Sequence, residues 1–137
     1  MKRASPPPQG FFVDRSLGRI KAPALLRAAG IELRTLAEVY GIPADEKVTD
    51  LEWLEPAGSR AWPVLMKDER IRYNPAERAA LIQYGVQAFC LTNGNMSSAE
   101  MADSFLAAMD RIIEICHTES PCLYAVSRGR IRKIDLA

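Results

Sequence analysis

The sequence predicts an α/β domain with a mainly parallel central sheet flanked by helices and a hairpin at its C-terminal end. Short apolar runs alternate with helical stretches along most of the chain, the pattern of strand–helix–strand crossovers. FFV at 11–13 and WPVLM at 62–66 are continuously apolar, as strands buried on both faces are. Two final strand-like runs, 122–127 and 130–134, flank Arg128-Gly129, which reads as a tight turn. The 137 residues fit one domain, because 48% hydrophobic and 26% charged residues are the balance that fills a single core.

Taken in order, residues 1–9 carry Pro6, Pro7 and Pro8 and read as a flexible or polyproline tail, so the folded domain is expected over 10–137. Residues 11–13 form the first strand. A helix is expected over about 17–29, stopped by Gly30, with Pro23 in its first turn or bending it. Ile31, Leu33, Thr35 and Leu36 suggest a second strand, then a loop through Gly41 and Pro43. Thr49 or Asp50 caps a helix running to about Gly58, with Leu51, Trp53 and Leu54 as its apolar members. The third strand follows at 62–66. Asn74-Pro75 starts the next helix and Gly85 ends it, before a fourth strand at 86–91. TNGN at 92–95 is a turn, and Ser97 with Glu100 has the form of a capping box. The long helix after it repeats Met101, Phe105, Ala108, Met109, Ile112, Ile113 and Cys116 at three- and four-residue steps, a core-facing stripe.

Composition narrows the function classes. No apolar stretch reaches the ~20 residues of a membrane span, and MKRASPPPQG lacks a signal peptide's apolar segment, so a cytoplasmic location is expected. Cys90, Cys116 and Cys122 are an odd set without a CxxC pair, which argues against a disulfide scaffold. Cys116, His117 and Cys122 fall short of the four paired ligands of a structural zinc site; the cysteines read as small core residues and His117 as a last-turn residue suited to the helix dipole. The net charge of +1 is uninformative, since an acidic pocket and a basic rim cancel in the sum.

The chemistry lies where strands run out onto acids. FFV ends at Asp14 and WPVLM is followed by Lys67 and Asp68, while Asp50 opens a helix. In a parallel sheet, sites form beyond the carboxyl ends of the strands where strand order reverses. Three carboxylates gathered there stay ionised together by binding a hard cation, Mg²⁺ or Mn²⁺. Each acid also has a plainer reading, as a cap or as the partner of a nearby Lys67 or Arg70.

FFVDRSLG, VTDLEWL, WPVLMKDERI and NPAERAALIQYG, in that order over residues 11 to about 117, resemble PIN-like nuclease domains, in particular the VapC-type toxin branch of bacterial toxin–antitoxin pairs. The resemblance implies a three-layer PIN-like fold with Asp14, Asp50 and Asp68 as catalytic metal-holding acids, and Glu52 as a lesser candidate. Many PIN domains place a further acid after the fourth strand; here the stretch is TNGNMSSAEM, with Asn93 or Asn95 as a neutral auxiliary and Asp103 deeper in the helix, which leaves one or two ions as alternatives. The activity implied is Mg²⁺- or Mn²⁺-dependent hydrolysis of RNA phosphodiesters. Arg15, Lys67, Arg70 and Arg72 follow the same strand ends and would hold RNA phosphates. A cognate antitoxin and a homodimer are the implied partners. The alternative is a non-catalytic RNA-binding or protein-interaction module on the same fold; a haloacid-dehalogenase-like phosphatase ranks below it, because its second Asp is replaced by Ser16.

Overall fold

The computed structural model describes residues 10–18, 20–42, 44, 50–67, 74–92 and 96–136. Five strands lie parallel: β1 (Phe11–Val13), β2 (Leu33–Thr35), β3 (Val64–Met66), β4 (Gln87–Leu91) and β5 (Cys122–Ser127). A sixth, β6 (Arg130–Lys133), runs antiparallel to β5 through the hairpin at Arg128-Gly129. The order across the sheet is β2-β1-β3-β4-β5-β6, so the chain moves outward from β1 to β2, then returns to place β3 on the other side of β1. The carboxyl ends of β1 and β3 therefore face the point where strand order reverses.

Side chains alternate across each strand, and that alternation divides the core in two. On one face Phe11, Val13, Leu65, Phe89, Leu91, Tyr124 and Val126 pack under α1 (Lys21–Ala28) and α5 (Ser98–Thr118). On the other, Phe12, Val64, Met66, Ala88, Cys90 and Leu123 pack under α3 (Asp50–Ser59) and α4 (Pro75–Tyr84). The apolar stripe of α5 is buried from Met101 to Ile113, with Cys116 half-buried at its end. Its Ser97–Glu100 capping box is present in both directions, at 3.1 and 3.0 Å. Asn74 caps α4, Pro75 takes the first helical position and Gly85 is left-handed at the end. No helix among the described residues is long and apolar enough to cross a membrane.

The structure corrects three boundaries. The helix expected from 17 is a 3₁₀ turn at Arg15–Leu17 followed by α1 from Lys21, because Gly18 turns the backbone to φ +85° between them. Pro23 sits in the first turn of α1, where its missing N–H costs nothing. The segment after β2 is a short helix, α2 (Leu36–Tyr40), and not strand and loop: Thr35 accepts from the Glu38 N–H at 3.1 Å and Glu38 accepts from the Thr35 N–H at 2.8 Å. β3 begins at Val64, with Trp62 and Pro63 ahead of it. The tail at 1–9, Thr49 and the turn residues 93–95 lie outside the described residues.

Candidate active site

β1 and β3 are neighbours, with Val13 beside Leu65, and the Asp14 N–H donates to the Leu65 carbonyl at 3.1 Å. Asp14 thus continues the ladder one residue past β1 and is only 3% exposed. It caps the 3₁₀ turn: its Oδ2 accepts from the Ser16 N–H at 3.2 Å and from the Ser16 hydroxyl at 2.7 Å. The same hydroxyl oxygen accepts from the Lys67 N–H at 2.9 Å. One serine therefore ties the acid after β1 to the backbone after β3, immediately before Asp68.

Packing seats α3 on the same face of the sheet as Phe12. Phe12, two residues before Asp14 on the same sheet face, has its ring 5.4 Å from that of Trp53 in α3. Trp53 lies in the first half of α3, so this contact seats the helix on the sheet face that carries Phe12. Glu52 is exposed, and its charge acts at Tyr40, whose hydroxyl is raised by burial and then by Glu52. Arg15 is exposed and Lys67 half-buried at the same strand ends. Asp68, Arg70, Arg72 and Asn93 lie outside the described residues. Among the described residues no three His, Cys, Asp or Glu side chains form a cluster. Burial pushes the Cys116 and Cys122 thiols up to about 12, so both stay protonated at neutral pH, the state of packed core residues.

A family model described as a PIN like domain matches residues 10–93 of this chain. The chain belongs to the PIN-like domain family. It is 32% identical over 124 residues, 90% of this chain and 90% of the other, to a protein of Mycobacterium tuberculosis (strain ATCC 25618 / H37Rv) named "Putative ribonuclease VapC45". No solved structure matches.

Within this PIN-like domain two residues escaped the sequence reading. Ser16 entered it only as the residue that argues against phosphatase chemistry; its position two residues past a strand-end acid was the available signal, since a short hydroxyl side chain there reaches back to the cap. Glu77 is 7% exposed in the first turn of α4, and sequence alone does not separate a buried first-turn acid from an exposed one. Ser16 holds the Asp14 carboxylate through two hydrogen bonds to Oδ2. On the metal-binding role proposed below for Asp14, Ser16→Ala is expected to raise the Mn²⁺ concentration that half-saturates the protein by about 10–100-fold, the usual effect of removing a partner that orients a metal ligand. Ser16→Thr, which keeps the hydroxyl, should restore it. An unchanged Mn²⁺ titration in Ser16→Ala, followed by thermal shift, removes the serine from the site.

Proposed function

We propose that this PIN-like domain is a Mg²⁺- or Mn²⁺-dependent endoribonuclease, the toxin of a type II toxin–antitoxin pair, acting in the cytoplasm. The observation that carries the proposal is the buried Asp14 at the strand-order reversal, tied through Ser16 to the backbone just before Asp68. The resemblance of 32% to the mycobacterial protein, whose name includes ribonuclease, supports the reaction class.

The donor chemistry of Asp14 fits a hard divalent cation. Its carboxylate offers oxygen, and the Ser16 bonds to Oδ2 hold its orientation, as ligating carboxylates are commonly held. Asp14, Asp50 and Asp68 would hold the ion, with Glu52 and Asn93 as auxiliaries. A bound ion supplies activation of water and neutralises charge that develops on the phosphate. Arg15, Lys67, Arg70 and Arg72 offset the repulsion between the acids and the RNA backbone and place the phosphate for in-line attack. Unpaired RNA is the substrate class, because the scissile phosphate must be open to water and metal. The acidic centre with its basic rim would be covered by the cognate antitoxin, and a homodimer is the proposed assembly.

Melting the protein with increasing Mn²⁺ tests this. Binding to the folded state alone raises stability by about 2.7 kcal/mol at a hundred times the dissociation constant. The same protein is expected to cut RNA with Mg²⁺ or Mn²⁺ and stop when a chelator is added. A midpoint indifferent to both ions, with RNA left intact, would leave the non-catalytic module as the reading.

A further inference from the structure

Away from Asp14, the first turns of α5 pass beneath the β5–β6 hairpin, and Met96, Glu100, Asp103, Ser104, Ala107 and Arg128 line an open pocket of about 250 Å³. The hairpin is pressed close there. A Cβ on Gly129 would stand 3.2 Å from the Ala107 Cβ, and Arg128 and Gly129 both have positive φ, +48° and +84°. The volume falls below the ~300 Å³ at which drug-sized pockets begin and suits one planar ring system.

The lining specifies the ligand's character. Glu100 and Asp103 share a helix face, and Glu100 uses Oε1 to accept from the Ser97 N–H. That bond, the Ser97 side-chain bond and the Arg128 charge hold the Glu100 carboxyl below its usual range. Asp103 makes no hydrogen bond or ion pair with another described residue. Ser104 is 3% exposed, lines the pocket, and its hydroxyl likewise has no hydrogen-bond partner among the described residues. A cation entering here meets the Arg128 guanidinium and an anion meets two carboxylates. A neutral ring with donors on one edge and acceptors on another satisfies both, while Met96 and Ala107 offer apolar contact for its face.

We propose that this pocket is a guanine-recognising subsite, with Asp103 accepting from the N1–H and N2–H donors, Arg128 donating to O6 and N7, and the Ser104 hydroxyl as the third polar contact. Guanine alone among the four bases offers two adjacent donors to one carboxylate beside an acceptor pair that an arginine spans. β5 stands three strand spacings from β1, about 14 Å, so the base read would belong to a nucleotide flanking the one cleaved. This inference rests on the ribonuclease reading for its substrate.

Nucleotide binding in chelator tests the subsite without catalysis. GMP titrated into the full chain is expected to bind about tenfold or more tighter than AMP, CMP or UMP, with IMP, which lacks the N2 amine, weaker than GMP. Asp103→Asn is expected to lower GMP affinity about tenfold or more, and Ser104→Ala to lower it less. Equal binding of the four nucleotides, or GMP affinity unchanged in Asp103→Asn, overturns the subsite. RNA cleavage accompanied by equal nucleotide binding overturns the subsite and leaves the ribonuclease reading standing. Selective GMP binding with no RNA cut under either ion overturns the ribonuclease reading and leaves the guanine site standing.

Discussion

Asp14→Asn is expected to lower RNA cleavage by roughly a thousandfold and to abolish stabilisation by Mn²⁺, while the metal-free protein keeps its melting temperature within a few degrees. The two halves of the prediction come from different atoms. Asparagine retains an oxygen that accepts from the Ser16 N–H, and it caps a turn about as well as aspartate. It removes the negative charge, and loss of the charged metal ligand proposed here is worth several kcal/mol, at about 1.4 kcal/mol per tenfold in rate. Asp14→Ala separates the two roles, because it also deletes the cap and should cost a further ~1 kcal/mol of stability. RNA cleavage by Asp14→Asn at near the parent rate would show that Asp14 only closes a turn.

Gly58→Ala is expected to destabilise the domain by at least about 2–3 kcal/mol, a fall of roughly 10 °C in melting temperature for a chain of this size. Alanine normally improves a helix interior by up to ~1 kcal/mol over glycine. Here packing overrides propensity. An added Cβ would stand 2.1 Å from the Tyr84 carbonyl oxygen and 2.9 Å from the Tyr84 carbonyl carbon, so α3 and the end of α4 must move apart. α3 leans on β1 through Trp53 and Phe12, so the shift should also disturb that ring contact. Thermal melts decide it: a neutral or raised melting temperature would mean the two helices do not approach this closely.

The long helix and its neighbours were legible because their signals are local. Ser97 and Glu100, Asn74 with Pro75, and Gly85 each satisfy backbone groups a few residues away, so spacing alone reveals them. Thr35 and Glu38 carry the same capping signal, yet Leu33, Thr35 and Leu36 also read as a strand. The pattern is ambiguous over so few residues, and burial of Leu36 against the core beneath α3 settled it as a helix. The start of α1 was misplaced because nothing near Leu17 announces that Gly18 takes a positive φ.

The candidate site divides in the same way. An acid at the end of a buried strand is visible in FFVD, and the family follows from the order of short motifs along the chain. Partners distant in sequence are not visible. The Ser16 hydroxyl meets the Lys67 N–H across 51 residues, and Glu77 is buried by the way α4 settles on the sheet.

From its own residues the chain determined its strands, most of its helices and the acids at their ends, because hydrogen bonding and side-chain periodicity act between near neighbours. Which strand lies beside β1, and so which backbone the Asp14–Ser16 pair grips, was decided only in the folded molecule. That adjacency comes from burying Phe12 under Trp53 and Val13 beside Leu65, contacts whose energy depends on shape and exclusion of water between segments far apart in the chain.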